Sequence, residues 1–240
     1  GGCINLNNAV AGQLLRGNEI YNCAARGNSV GGGIYLAGGF GHRLEGNNVH
    51  NCSAYRGGGI FLDAPSTTLE ENAVVGNSAN NDGGGLFLGG NSDNGFLIRN
   101  SIRDNSVTQN YGGGGLLFDQ SGGWSFVCNN ISGNRAARDG GGIYFYYSGN
   151  QNFRLEDPAC PNVIADNTAS RDGGGLYFDH SGSSTLTGVT VTGNEASRWC
   201  GGLDFGASGS STVASSTIAG NTGFQGAGGI CFGDSDNSAV

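Results

Sequence analysis

Residues Arg171–Phe178 read RDGGGLYF, and most of the chain is this segment repeated. Three glycines precede Leu176, Tyr177 and Phe178, and the same order recurs at Gly31–Leu36, Gly57–Leu62, Gly83–Leu88, Gly113–Phe118 and Gly140–Phe145. Weaker copies stand at Gly1–Leu6, Cys200–Phe205 and Ala227–Phe232. The anchors are therefore Ile4, Ile34, Ile60, Leu86, Leu116, Ile143, Leu176, Leu203 and Ile230, spaced 30, 26, 26, 30, 27, 33, 27 and 27 residues apart. A period of this length that tolerates insertions marks a solenoid, in which each unit buries its apolar face against its neighbours. Leu176 and Phe178 are apolar two apart, and three glycines per repeat would ruin a helix, so the units are built of strands.

The residue two past the anchor reads Leu6, Leu36, Leu62, Leu88, Phe118, Phe145, Phe178, Phe205 and Phe232, a column suited to an inward stack about 4.8 Å apart. A second segment follows each anchor, with apolar pairs five apart, as in Leu15/Ile20, Leu97/Ile102 and Leu186/Val191. One straight strand cannot face both members inward, so a bend separates them. The expectation is an all-β parallel solenoid over residues 1–240, a single domain of eight to nine coils with three short strands per coil. Asn22, Asn51, Asn77, Asn105, Asn134, Asn167, Asn194 and Asn221 end the second segment and are expected to stack as a hydrogen-bonded ladder at a coil corner. The stretch Glu156–Pro161 (EDPACP) is expected to bulge as a surface loop.

The GGG[IL] anchors and the [IV]xxN segments (Val74–Asn77, Ile102–Asn105, Ile131–Asn134, Ile164–Asn167, Val191–Asn194, Ile218–Asn221) resemble the paired motifs of polymorphic outer-membrane-type repeats. They are also similar to those of large right-handed parallel β-helix surface proteins. The resemblance spans essentially the whole chain and implies a secreted or cell-surface β-helix used for adhesion or structure, often as part of a longer polypeptide. The chain departs from the polymorphic repeats in lacking their phenylalanine in the second motif, and these residues hold no autotransporter barrel. Right-handedness follows from the resemblance and from the general preference of parallel crossovers.

The net charge is -8 and all 11 basic residues are arginine, a balance that disfavours nucleic acid and anionic membranes as partners. No window is apolar enough for membrane insertion. The absence of lysine and methionine points to a mature or excised segment. The 7 cysteines include no CxxC pair, so neither a metal site nor a cofactor is implied. Cys23 with Cys52, and Cys128 with Cys160, fall on neighbouring coils and are candidate disulfides, which belong to an oxidising, extracellular setting. Partners for Cys3, Cys200 and Cys231 are left open. Asn51 (NCS) and Asn130 (NIS) match the glycosylation acceptor pattern but sit in or beside the asparagine column, where access would be limited.

The residue one past the anchor should face outward, and from Tyr35 through Phe61, Phe87, Leu117 and Tyr144 to Tyr177 it is aromatic or leucine. That ladder is a candidate contact strip for a second chain or for sugar rings, or a surface covered by the chain's own loops. Asp63, Asp119 and Asp179 share one position on alternate coils, about 9.6 Å apart at strand spacing, with His180 beside Asp179. Such a separation suits the carboxylate pair of an inverting glycosidase. Asp139 and Asp172, each preceded by an arginine (Arg138, Arg171) and continued by Arg198, read as an ion-pair network at a turn. Ice binding needs a flat threonine array, and Thr185, Thr187, Thr190 and Thr192 lie within one coil. The leading expectation is a non-enzymatic extracellular structural or adhesive module that assembles with itself or with other chains into a fibre or surface layer, with glycans as a further class of partner. The alternative is a carbohydrate-active enzyme using Asp63, Asp119, Asp179 and His180.

Overall fold

The computed structural model describes residues 1–233 and 238–240. Among these residues every strand is parallel to its neighbours, and the strands form four sheets of nine, eight, eight and seven members. Sheet 1 holds the anchor strands, such as Leu176–Asp179, while sheets 2 and 3 hold the paired segments, such as Thr185–Thr187 and Thr190–Thr192. Each coil thus climbs one strand spacing while passing once through each sheet, the arrangement of a parallel β-helix. Register is kept in the first three sheets, where Ile143 pairs with Leu176, which pairs with Leu203, and Ile131 pairs with Ile164, which pairs with Val191; in the fourth it shifts once, between Ala79 and Asp82. No helix among the described residues is long and apolar enough to cross a membrane.

Coils carry four strands where three were expected. Sheet 4 consists of short strands such as Ser106–Val107, Arg135–Ala136 and Glu195–Ala196, placed between the asparagine corner and the glycines. Each offers the core one small side chain, and Ala79, Val107, Ala136, Ala169 and Ala196 are all buried. A single buried alanine leaves no alternation to read, and for that reason the segment looks like a turn.

The glycine triplet is dictated by backbone proximity. Gly173 adopts a left-handed φ of 61°, and a Cβ on Gly174 would lie 2.5 Å from the Glu195 carbonyl oxygen. A Cβ on Gly175 would meet the Gly202 carbonyl oxygen at 2.6 Å and the Asn194 amide at 3.1 Å. The strand entering sheet 1 therefore runs against the corner below it, and only glycine fits.

Inside the coil, rings stack along the axis. Phe118, Phe145, Phe178, Phe205 and Phe232 follow one another with centroids 4.9, 4.6, 4.7 and 5.1 Å apart. Phe126 lies 4.1 Å from Phe153 on the opposite side of the core. These spacings are those of neighbouring strands, so the aromatic column follows directly from register.

Asparagine ladders close two corners. At the expected corner Asn77, Asn105, Asn134, Asn167, Asn194 and Asn221 are linked amide to amide at 2.9–3.0 Å. Each Nδ2 also donates to a carbonyl of the preceding coil, as Asn134 does to Ile102 at 3.0 Å. Asn22 and Asn51, expected in the same ladder, are exposed residues one step before it with φ of 53°. In-register pairing places Cys52 where the other coils hold asparagine, and its N–H donates to Asn77 Oδ1 at 2.9 Å. A second ladder, not anticipated, joins Asn18, Asn47, Asn72, Asn100, Asn129 and Asn162 at the bend between sheets 2 and 3. A shorter serine column at the exit of sheet 1 works the same way, with Ser148, Ser181 and Ser208 donating to the carbonyls of Phe118, Phe145 and Phe178. Because Asn51 and Asn130 stand beside these ladders and not in them, both are solvent-exposed.

The disulfides are Cys3–Cys23, Cys128–Cys160 and Cys200–Cys231, with Cα separations of 5.6, 5.1 and 5.8 Å. Cys128–Cys160 is the expected pair, and it ties down the exposed loop containing Glu156–Ala159. The expected Cys23–Cys52 pair does not form, and Cys52 is a buried free thiol. Cys23 and Cys52 occupy the same column, where in-register side chains run parallel about 4.8 Å apart, beyond the Cβ separation a disulfide accepts. Instead Cys52 Sγ donates to the His50 carbonyl at 3.3 Å.

Removing a ladder amide strands several buried groups at once. Asn134→Ala should lower unfolding stability by about 2–4 kcal/mol in urea denaturation, whereas exposed Asn51→Ala should stay within about 0.5 kcal/mol. Mass mapping of the non-reduced protein should recover the three disulfides above, with Cys52 alkylated only after denaturation.

Candidate functional site

The outward column of sheet 1 stacks as expected, but it does not project. Tyr35, Phe61 and Phe87 lie 5.4 and 5.0 Å apart, and Tyr144 lies 5.2 Å from Tyr177. Phe87, Leu117 and Tyr144 are nevertheless buried, and Phe61 and Tyr177 pack against them. The middle of the strip is the floor of a pocket of about 330 Å³, with Leu117 and Tyr144 at the bottom between two polar walls.

One wall is the column preceding the glycine triplets. The backbone bonds of Gly57, Gly83, Gly113, Gly140 and Gly173 to the next coil fix its order as Asp82, Gly112, Asp139, Asp172 and Trp199, with Arg56 before Asp82. Gly112 is the break in this column. A Cβ there would lie 2.0 Å from the Asp139 carbonyl oxygen and 2.8 Å from the Tyr144 ring, so no side chain can stand at that point. The same coil carries Leu117 in place of an aromatic ring, and the two small residues together open a notch in an otherwise filled surface.

On either side of the notch the wall is held by ion pairs. Arg171 grips Asp139 with both guanidinium arms, at 2.7 and 2.5 Å, and Arg198 grips Asp172 on the next coil in the same two-armed way. Arg56 Nε lies 3.0 Å from Asp82 and its guanidinium sits over the Phe87 ring. Burial pushes the Asp82 carboxyl up to about 6 in spite of Arg56, and burial also raises Asp139 against the pull of Arg171.

The facing wall comes from the ends of the sheet 1 strands, where Asp119, Tyr146 and Asp179 pair in register. Asp119 and Asp179 thus stand two coils apart, as expected. The Tyr144 hydroxyl donates to Asp179 Oδ2 at 2.9 Å, while His180 Nδ1 lies 2.6 Å from Asp179 Oδ1 with its ring stacked on Tyr147. Burial and the Asp179 charge raise the phenol pKa of Tyr144 well above its usual value, so it remains a donor. Asp63 is not brought to this site; it accepts a bond from the Asn91 N–H at 3.1 Å.

Arg56, Asp82, Tyr111 and Tyr146 line the pocket without having been singled out from sequence. Their one legible signal is the fourth glycine of Tyr111–Gly115 (YGGGG), which marks a missing side chain. Among the described residues no three His, Cys, Asp or Glu side chains gather as a metal site.

The outward column passes from Tyr177 to Asp204, which is buried and faces Asp172, Asp139, Arg198 and Asp179. Burial first, and then the neighbouring carboxylates, push it up to about 7. Its proton is retained in the folded state while the unfolded chain has lost it, so this contribution to stability is present below about pH 4 and disappears as pH rises to 7. Asp204→Asn should remove that decline and gain on the order of a few kcal/mol over the wild type at pH 8, with little difference at pH 4.5. Urea midpoints of the two proteins at both pH values measure it.

Among curated proteins and among solved structures no match to the chain was found. The family model described as a right-handed β-helix region matches residues 2–153 and 33–222. With coils, register and sheets all as that architecture requires, the chain belongs to the right-handed β-helix family.

Proposed function

We propose that this β-helix is an extracellular adhesive module that binds a glycan in the sheet 1 pocket. The observation that carries the reading is the pocket's composition: an apolar floor of Leu117 and Tyr144 between walls of carboxylates, arginines and tyrosines. Sugar rings need such a surface, since their C–H faces stack on apolar or aromatic groups while their hydroxyls donate to carboxylates at the edge. Tyr111 and Tyr146 are exposed at the rim and extend the stacking surface beyond the floor. Three disulfides support an oxidising environment and hence secretion. Lateral docking of a second chain on the aromatic ladder is less well supported, because the centre of that ladder is a buried floor.

Hydrolysis of the bound glycan is a second reading. It is favoured by Asp82, a carboxyl titrating at about 6 that shares the pocket with Asp119 and Asp179. Release of reducing ends from the glycan that binds would establish it.

Screening by glycan array followed by calorimetry should find an oligosaccharide ligand. Tyr146→Ala and Asp119→Asn should each weaken binding by about tenfold while leaving the urea midpoint unchanged. Failure of every oligosaccharide class to bind would contradict the reading.

A further inference from the structure

Two ion pairs of the glycine-side wall follow one pattern. Arg171 and Arg198, each one residue before the column, reach back one coil to Asp139 and Asp172 with both arms engaged, whereas Arg56, within the column, reaches forward one coil to Asp82. By the same step Arg138 should reach the residue at position 112, but that residue is glycine. Its guanidinium is left with Asp139 at 3.5 Å, a carboxylate already taken by Arg171, and with the Tyr111 ring at 5.9 Å. Arg138 lines the pocket, with 42% of its side chain exposed at the notch.

We propose that the notch receives the carboxylate of an acidic sugar, which takes on Arg138 the place the missing aspartate holds in the other coils. The inference rests on the glycan reading and names the class of sugar. A carboxylate at the notch would accept two parallel bonds from the Arg138 fork, the geometry that Arg171 and Arg198 already display on the same wall. With the carboxylate there, the sugar ring covers Leu117 and its hydroxyls face Asp119 and the Tyr146 rim, where donors are needed. The Asp119 carboxylate has no hydrogen-bond or ion-pair partner among the described residues, so it is open to those hydroxyls. The opposite orientation would press the ligand carboxylate against Asp119 and Asp179. A protein with net charge -8 selects a single carboxylate held by one arginine, and it disfavours a dense polyanion.

The test is calorimetry with short oligosaccharides that carry a single hexuronic acid residue, their carboxyl-reduced neutral counterparts and poly-glutamate, on the wild type, Arg138→Gln and Arg138→Lys. The wild type should bind the uronic oligosaccharide on the order of tenfold or more tightly than the neutral one. Arg138→Gln should erase that preference without changing affinity for the neutral oligosaccharide, and Arg138→Lys should restore only part of it. Equal affinity of the wild type for acidic and neutral forms would overturn this inference while leaving the glycan reading intact. Binding of neither form would overturn both, and binding of poly-glutamate alone would replace the sugar with an acidic peptide.

Discussion

Every coil of this protein is held at one height above the last by buried amides that bond along the axis. An asparagine Nδ2 in these ladders meets a carbonyl of the preceding coil and the Oδ1 of the next, so a coil that slipped by one residue would leave donors and acceptors buried and unmet. Because side chains alternate in a strand, the same slip would turn the phenylalanine column outward. Polar ladders at the corners and ring stacks between them therefore specify one register from two directions. Cys52 shows how much a position in the ladder can vary: its backbone N–H keeps the bond to Asn77 while its side chain gives up the amide.

Fixed register makes the surface as regular as the core, and the pocket arises where that regularity lapses. Every other described coil from Arg56 to Trp199 places a side chain at the glycine-side column, whereas Gly112 places none. The absence is enforced by the Asp139 carbonyl and the Tyr144 ring. One coil thereby loses a wall residue and, at Leu117, a ring, and the neighbouring coils supply the walls of the opening. The ion pairs on each side belong to the scaffold, but Arg138 and Asp119 are left over from it, one on each wall.

Coil number, anchor columns and the asparagine corner could be read from sequence because each repeats at a fixed offset from an anchor, and one disulfide because Cys128 and Cys160 fall on neighbouring coils. What could not be read lies where the repeat carries little side-chain contrast. Sheet 4 offers one buried alanine per coil, and the second asparagine ladder falls inside segments such as EGNNVHN, where adjacent asparagines disguise which one turns inward. Asn22 and Asn51 each stand one residue before the ladder position, which Cys23 and Cys52 hold, so an asparagine at nearly the right offset does not reveal that the inward place belongs to its neighbour. Asp119 and Asp179 were legible as a pair two coils apart. That they face arginines across a notch depends on Gly112, whose information is a missing side chain and shows only once the register of all four sheets is known.

The measurement that tests the account most directly is a crystal structure of the protein soaked with a short oligosaccharide that carries a single hexuronic acid residue. The account predicts a sugar ring over Leu117 and Tyr144 with its carboxylate on Arg138 and the coil register unchanged. Ligand density elsewhere on the solenoid, with the notch filled by the rearranged side chains of its own walls, would contradict it.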